Sequence, residues 1–389
     1  MTGVDAMDSK LPSTGTTIFA VMSALSEESG AINLSQGFPS FNPDQVLLDL
    51  VGSYLNGGAN QYAPMTGVPA LRKAIAAKVG ALYGRVVDMD AEVTVCDGAT
   101  EGLFSAIQAV VRQGDEVIVF DPAYDSYEPS VTLAGGRTIH VPLARTDARP
   151  DFHVDWDRLR DVICEKTRLI VLNFPHNPTG VVLTAADLDT LAEIIRDTGI
   201  YLISDEVYEH IVFDGADHQS LLRHDELWQR TFVISSFGKT YHATGWKVGY
   251  CVAPSVLTTE FRKIHQWVCY AVITPVQHAL ADYMVATPEH YARLPVFYQE
   301  KRDHFCKLLR DSKFTFRPAN GTFFQILDYS RITDENDVAY AKRLTREIGV
   351  ASIPVSVFCE QPSDDRLLRF CFAKDDGMLE AAAERLCRL

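Results

Sequence analysis

Between residues 93 and 252 the sequence alternates short apolar runs with stretches of helical periodicity. The apolar runs predict buried strands at 93–97, 116–120, 138–141, 168–174, 200–204, 231–234 and 246–252. Helical patterns precede and separate these runs, including those at 71–82 and 185–198. Nearly continuous apolar strands that alternate with helices predict an α/β fold, in which a mostly parallel sheet is covered on both faces.

The pattern changes after about residue 285. Helices predicted at about 295–311 and 335–348 mix with short strands at 323–326 and 367–372, which is typical of a smaller α+β domain. We therefore expect three segments: residues 1–45 as an N-terminal arm and part of the small domain, 46–285 as the large domain, and 286–389 as the C-terminal small domain.

Composition narrows the function classes. The chain has 389 residues, and its net charge of -15 argues against nucleic acid and anionic membranes as partners. Eight cysteines without C-x-x-C pairs or zinc spacing predict reduced thiols in the cytoplasm and no metal site. The polar, acidic N-terminus and the absence of an 18-residue apolar stretch predict neither a secretory signal nor a membrane span.

Four polar residues each follow a predicted strand: Tyr124, Asn177, Asp205 and Lys239. In a parallel sheet, ligands bind beyond the carboxyl ends of the strands, so these side chains are expected to share one crevice. A lysine held at the end of a buried strand loses proton affinity, which prepares it to act as a nucleophile or to bind an aldehyde. The sequence therefore predicts a cofactor site at this edge of the sheet.

Other interpretations of the same stretch fail on spacing. Gly238-Lys239-Thr240 resembles the end of a phosphate-binding P-loop, but that motif needs glycine at position 233, which is valine. Ser236-Phe237-Gly238-Lys239 has the S-x-x-K spacing of β-lactam-recognising enzymes, but the chain lacks their S-D-N and K-T-G motifs. Arg369 lies in an apolar strand and needs an anionic partner, which is either an internal carboxylate or a carboxylate ligand.

Five segments, in order and spacing, resemble the class I, fold-type I pyridoxal-phosphate-dependent aminotransferases. They are NQYAPMTGVPALRKAI (60–75), NFPHNPTG (173–180), SDEVYEH (204–210), SSFGKTYHATGWKVGY (235–250) and RFCFAK (369–374). The resemblance runs from about Ile32 to the C-terminus and is strongest to the branch of methionine aminotransferases and kynurenine and glutamine transaminases. It implies a large domain with a mostly parallel central sheet, a smaller α+β domain, and ping-pong amino transfer from an L-amino acid to a 2-oxo acid.

The resemblance also implies roles for the strand-end residues. Lys239 would hold pyridoxal 5'-phosphate as a Schiff base and then move the substrate's proton. Asp205 would pair with the ring nitrogen, and a carboxylate there keeps the ring protonated so that it accepts electrons. Tyr208 and Asn177 would contact the ring's phenolic oxygen, and Tyr124 would stack on the ring.

The remaining implied residues bind the two anionic groups. The phosphate would contact Ala99, Thr100, Ser236 and Lys247 and, from the neighbouring subunit of a homodimer, Tyr62. The substrate carboxylate would contact Arg369, Asn177 and the backbone of Gly37. Lys247 replaces the arginine found in much of the wider class, and the methionine and kynurenine branch shares this lysine.

The sequence leaves the preferred substrates open. It offers no convincing second arginine for a side-chain carboxylate, so aspartate is not expected as the preferred donor. The aromatic residues Phe38, Tyr62, Tyr124 and Phe358 would favour a flexible apolar or thioether side chain. A carbon–sulfur β-lyase on the same fold is the alternative function. A non-enzymatic sensor domain of a transcription regulator is disfavoured by the negative charge and the short N-terminal region.

Overall fold

A computed structural model of the chain describes residues 8–146, 151–361 and 365–389, so the first seven residues of the predicted arm lie outside the described residues. The strands are β1 (Ile32–Asn33), β2 (Val93–Cys96), β3 (Glu116–Asp121), β4 (Arg137–Pro142), β5 (Thr167–Asn173), β6 (Tyr201–Asp205), β7 (Thr231–Ser236), β8 (Gly249–Val252), β9 (Phe324–Asp328), β10 (Val350–Ala351), β11 (Ile353–Pro354) and β12 (Leu367–Cys371). The helices are α1 (Ile18–Ser29), α2 (Gln45–Asn56), α3 (Pro69–Tyr83), α4 (Gly98–Val110), α5 (Tyr127–Leu133), α6 (Trp156–Val162), α7 (Ala185–Ile195), α8 (Asp225–Trp228), α9 (Phe237–Thr240), α10 (Ser255–Val268), α11 (Thr274–Ala286), α12 (Glu289–Leu308), α13 (Asp337–Arg343) and α14 (Asp376–Leu386).

The central sheet has seven strands in the order β2-β8-β7-β6-β5-β3-β4. The run from β7 to β4 is parallel, and β8 alone is antiparallel to both of its neighbours. Alternate side chains of β5 enter two different apolar clusters, Leu169 and Val171 in one, Ile170 and Leu172 in the other. Burial on both faces explains why the strands are apolar throughout, and it confirms the predicted mostly parallel α/β sheet.

The C-terminal part of the chain forms a smaller antiparallel sheet in the order β11-β12-β9. The first strand of the chain joins this region, because Ile32 pairs with Val350 in the parallel ladder of β1 and β10. The segment after β1 stays close to β12, where the Cys371 amide donates to the Leu34 carbonyl at 2.8 Å. Residues 34–40 are thereby held near the strand that carries Arg369.

Three predicted elements differ from the structure. The strand predicted at 246–252 starts only at Gly249, because Lys247 has a left-handed backbone (φ 54°) that cannot continue a strand. The helix predicted from 295 begins at Glu289, and Pro295 lies inside it. The helix predicted over 335–348 ends at Arg343 and continues as a π-helical turn, Leu344–Ile348. In the part of the chain that the structure describes, no helix has the length and apolar character needed to cross a membrane.

Candidate active site

A cavity of about 350 Å³ lies at the carboxyl ends of β5, β6 and β7. Eleven of the twelve residues predicted for the site line it: Gly37, Ala99, Thr100, Tyr124, Asn177, Asp205, Tyr208, Ser236, Lys239, Lys247 and Arg369. Tyr62 does not line this cavity, and its side chain is 83% exposed. Residues separated by more than 300 positions in the sequence thus meet at one edge of the sheet, as parallel-sheet topology predicts.

Lys239 lies in the short helix α9, directly after β7. Its ammonium donates a hydrogen bond to the Gly37 carbonyl at 2.8 Å and lies 5.5 Å from the centre of the Tyr208 ring. Burial lowers the pKa of Lys239 to about 8, and the positive charges of Arg369 and Lys247 act in the same direction. In a substantial fraction of the molecules Lys239 is therefore a neutral amine near physiological pH, and the neutral amine is the form that attacks an aldehyde.

Asp205 is the last residue of β6, and its side chain is buried. The Tyr127 hydroxyl donates to its Oδ2 at 2.6 Å, and the Val207 amide approaches Oδ1 at 3.4 Å. Burial raises the pKa of Asp205 to about 6 although both hydrogen bonds favour the ionised form. A cationic N–H placed against this carboxylate would stabilise its charge.

Tyr127 is a site residue that the sequence reasoning did not assign. It starts α5 and packs edge-to-face against Tyr124, with ring centres 5.7 Å apart. Burial, with the nearby Asp205 charge, raises the pKa of Tyr127 well above its usual range, so its hydroxyl keeps the proton that it donates. Its position three residues after Tyr124, near the start of the helix predicted there, was the available signal.

Arg369 is fully buried in β12. Its guanidinium donates to Asn177 Oδ1 at 2.7 Å and to the Ser35 carbonyl at 2.9 Å, and it lies 3.9 Å from the centre of the Phe324 ring. Among the described residues no carboxylate forms an ion pair with it, and its buried Nε has no hydrogen-bond partner. Burial lowers the pKa of Arg369 to about 10. Asp125 acts on Arg369 only from beyond ion-pair distance. A buried cation with no carboxylate in direct contact favours the carboxylate-ligand interpretation over an internal salt bridge.

Several hydrogen-bond donors line the part of the cavity next to α4. Ala99 and Thr100 lie in the first turn of α4, where amide groups have no partner within the helix. The Lys247 ammonium lies against this turn, 3.2 Å from the position that a Cβ would take at Gly98. Ser236 Oγ accepts the Gly238 amide at 3.2 Å, which leaves its hydroxyl hydrogen for a ligand. The helix end, the ammonium and the hydroxyl together suit a phosphate group.

Seven further residues of the cavity lining were not revealed by local motifs. They are Phe19, Gln36, Leu103, Asn173, Val207, Thr244 and Phe324. Of the aromatic residues expected there, Tyr124 lines the cavity, whereas Phe38 packs on the Lys374 ammonium and Phe358 on Phe19. Gly37 is required beside Phe324, because an added Cβ would lie 2.8 Å from the Phe324 Cζ atom.

These features fit pyridoxal 5'-phosphate, the cofactor that the sequence resemblance implies. The amine of Lys239 suits its aldehyde, the carboxylate of Asp205 suits its ring nitrogen, and the donors around α4 suit its phosphate. Burial raises the pKa of Tyr208 well above its usual range, so its hydroxyl stays protonated and can donate to the ring oxygen. Arg369 remains for a carboxylate on the substrate.

Comparisons with known proteins agree with this geometry. The sequence profile of the family "Aminotransferase class I and II" matches residues 29–386. The methionine aminotransferase of Escherichia coli (strain K12) is 51% identical over 381 residues, which cover 98% of each chain. Kynurenine–oxoglutarate transaminase 1 of Mus musculus is 33% identical and 93% of each chain is covered.

Solved structures match over nearly the whole length. The crystal structure of YbdL from Escherichia coli, identified with a methionine aminotransferase function, has a TM-score of 0.96 and 51% identity and covers 99% of this chain and 100% of its own. The N-succinyldiaminopimelate aminotransferase of Mycobacterium tuberculosis has a TM-score of 0.95 and 37% identity and covers 98% of this chain and 100% of its own.

Proposed function

The chain belongs to the class I and II aminotransferase family and is a fold-type I, pyridoxal-phosphate-dependent aminotransferase, and we propose that methionine is one of its amino donors. The carbon–sulfur lyase alternative is set aside, because the relatives at full length are aminotransferases. The observation that carries the donor proposal is the cavity lining. Arg369, which we assign to the substrate carboxylate, shares the cavity with four apolar side chains: Phe19, Leu103, Val207 and Phe324.

A thioether suits this lining for physical reasons. Its flexible, apolar chain packs on aromatic rings, and sulfur–aromatic contacts are favourable by about 0.3–1.5 kcal/mol. The cations of the cavity within the described residues are Lys239, Lys247 and Arg369. Each of them is already used by our cofactor and carboxylate assignments, so no cation is left to bind a second carboxylate as in aspartate.

We assign the residues as follows. The bound cofactor supplies an aldehyde for Lys239 and a ring that takes up the electrons left when the substrate's Cα–H bond breaks. Asp205, supported by Tyr127, holds a proton on the ring nitrogen. Lys239, once its amine is free, would act as the base that takes the proton from the substrate's Cα and as the acid that gives it back. Tyr208 and Asn177 donate to the ring oxygen, and Tyr124 covers one face of the ring.

The two anions are held at opposite ends. Ala99, Thr100, Ser236 and Lys247 bind the phosphate, whereas Arg369, Asn177 and the Gly37 backbone orient the substrate carboxylate. The hydrogen bond between Arg369 and Asn177 supports this pairing, because it fixes the guanidinium plane before substrate arrives.

We also propose a homodimer in which Tyr62 enters the partner's site. Tyr62 packs edge-to-face on Tyr270 at 5.4 Å, and both rings are more than half exposed in a single chain. Exposed aromatic pairs of this kind mark surfaces that a second chain covers. The pairing of β1 with β10 supports the division into residues 1–45, 46–285 and 286–389. Eight free cysteines support a cytoplasmic location.

The donor proposal is tested with purified holoenzyme and one fixed 2-oxo acid. We expect methionine to give a higher kcat/KM than aspartate, with the amino acid derived from the oxo acid as product. Kynurenine, glutamine and phenylalanine in the same assay rank the alternatives. A preference for aspartate would overturn the donor proposal. Release of a thiol, ammonia and a 2-oxo acid from an S-alkylcysteine would indicate β-elimination; methionine cannot serve for that test, because its sulfur is on Cγ.

A further inference from the structure

A buried histidine joins two segments of the phosphate end of the site. His265 lies on α10 with no exposed surface. Its Nδ1 is 3.0 Å from Glu101 Oε1, and its Nε2 is 3.0 Å from the Met65 carbonyl oxygen. Glu101 belongs to the first turn of α4, and Met65 lies three residues after Tyr62.

Both partners of the imidazole are acceptors when the carboxylate is ionised. A neutral imidazole has one N–H and can donate to one of these two oxygens, whereas a doubly protonated ring can donate to both. Glu101 also accepts the Ser105 hydroxyl at 2.6 Å and the Asp97 amide at 3.2 Å. His265 therefore bridges two buried oxygen atoms, and three groups surround the Glu101 carboxylate: the His265 ring, the Ser105 hydroxyl and the Asp97 amide.

The position of this pair matters for an anionic ligand. Glu101 follows directly after Ala99 and Thr100, in the helix turn whose free amides face the cavity. A Glu101 carboxylate without polar partners in that turn would repel a phosphate dianion, and the contact with His265 Nδ1 disperses part of the carboxylate's charge. The hydrogen bond from the Asp97 amide to Glu101 also fixes the backbone that leads into the turn.

The same histidine supports Tyr62 in two ways. Its side chain holds the Met65 carbonyl, and its own carbonyl accepts the Cys269 and Tyr270 amides at 2.9 Å and 3.3 Å. Tyr270 has a left-handed backbone (φ 67°), and its ring meets Tyr62 edge-to-face. His265 thus contacts the segments on both sides of the Tyr62–Tyr270 pair, and the Thr274 hydroxyl holds the Gln61 carbonyl beside Tyr62 at 2.6 Å.

We propose that His265, paired with Glu101, is a positioning residue for cofactor phosphate in both sites of the dimer. It holds the α4 turn toward the phosphate of its own subunit and the Tyr62 segment toward the phosphate of the partner. The inference rests on the proposed phosphate contacts and on the proposed homodimer. His265 touches neither the cofactor nor the substrate.

The first test compares pyridoxal 5'-phosphate with pyridoxal, which lacks the phosphate. Dissociation constants are measured after removal of cofactor from the holoenzyme, for the wild type, His265→Gln, Glu101→Gln and the double variant. We expect His265→Gln to weaken the phosphate ester about 10- to 100-fold and pyridoxal less than threefold. The double variant should recover part of the loss, because it also removes the uncompensated carboxylate.

A matched control separates positioning from general stability. His218 is another largely buried histidine, with Nε2 2.8 Å from Glu206 Oε2, and it is not in contact with the α4 turn. His218→Gln should lower Tm without changing the ratio of the two dissociation constants. Equal weakening of both ligands by His265→Gln, or no recovery in the double variant, would overturn the role of His265. A wild type that binds both ligands equally would instead overturn the proposed phosphate site.

Hybrid dimers test whether His265 of one chain affects cofactor binding in the partner's site. A wild-type chain is paired with a Lys239→Ala chain, so that only the wild-type chain's site keeps its lysine and its visible absorbance. Adding His265→Gln to the Lys239→Ala chain should shorten cofactor retention at the intact site several-fold. Unchanged cofactor retention would overturn the proposed effect of His265 on the partner's site. The comparison of the two dissociation constants would still decide its effect on the α4 turn of its own subunit.

Discussion

Asp205→Asn is expected to stabilise the cofactor-free protein while it abolishes turnover. In the wild type the buried Asp205 carboxyl has a pKa of about 6 instead of 3.8, because burial outweighs the hydrogen bond from Tyr127. This difference of about two pKa units corresponds to roughly 3 kcal/mol by which the ionised side chain weakens the cofactor-free fold. In our assignment the cofactor's cationic ring would supply the missing counter-charge, and a neutral asparagine side chain could not hold the proton on the ring nitrogen.

The sign of the pH dependence follows from the direction of the shift. A carboxyl group with a higher pKa in the folded protein favours folding at low pH, and this contribution is lost as the pH rises through about 6. At pH 8 the ionised Asp205 therefore lowers the free energy of unfolding by nearly the full amount, roughly 3 kcal/mol. Near pH 4.5 it lowers the free energy of unfolding by about 1 kcal/mol. The asparagine amide leaves an unpaired N–H that costs about 1–2 kcal/mol at any pH. The net expectation is a gain of about 1–2 kcal/mol at pH 8 and none near pH 4.5.

Urea unfolding of both cofactor-free proteins at the two pH values measures this difference, by linear extrapolation. Asp337→Asn is the matched control, because Asp337 is also buried and accepts the Ser356 amide at 2.8 Å and its hydroxyl at 2.6 Å. The control should lose stability at both pH values. A gain for Asp205→Asn that does not depend on pH, or a loss at pH 8, would refute the reasoning.

Three further substitutions test other parts of the site. Lys239→Ala should remove the cofactor's covalent absorbance band and lower kcat by a factor of about 10² to 10⁴ or more from lost proton transfer alone, and an active variant would contradict the assignment. Arg369→Lys should raise KM for the donor roughly 100-fold with a smaller change in kcat, because a point charge replaces a guanidinium that can donate two hydrogen bonds. Steady-state kinetics would instead show a large loss of kcat with little change in KM if Arg369 acted in the chemical step. Tyr127→Phe removes a hydrogen bond to the Asp205 carboxylate that is worth about 1.5–3 kcal/mol. It should therefore shift the acidic limb of the kcat/KM–pH profile to higher pH by one unit or more. An unchanged limb would mean that Asp205 does not control it.

The sequence predicted the central sheet because its strands are buried on both faces. An unbroken apolar run such as β5 has few structural interpretations, and the strand ends then indicate where a ligand lies. The prediction failed where backbone conformation opposed the apolar pattern. Lys247 is followed by an apolar run and looks like part of a strand, yet its left-handed backbone places its ammonium beside Gly98.

Long-range contacts without a local motif were not predictable. Phe19 reaches the cavity from the first helix, and Phe324 lies under Arg369 from β9. The pair of His265 and Glu101 spans 164 residues, and each residue alone is ordinary in its helix. Such contacts depend on how helices pack over the sheet, which apolar periodicity does not specify.

Burial acts in the same way on the three charged residues that define the site. It lowers the pKa of Lys239 to about 8, raises that of Asp205 to about 6 and lowers that of Arg369 to about 10, so each is displaced toward its neutral form. Each shift is a free-energy cost in the cofactor-free protein, and our assignment gives each residue a matching group in the reaction: an aldehyde, a cationic ring nitrogen and a substrate carboxylate. The free-energy cost of burying a charged group also explains why charged residues are unusual at the ends of apolar strands. A fold gains nothing from burying them there, so their presence indicates a ligand that completes their charge.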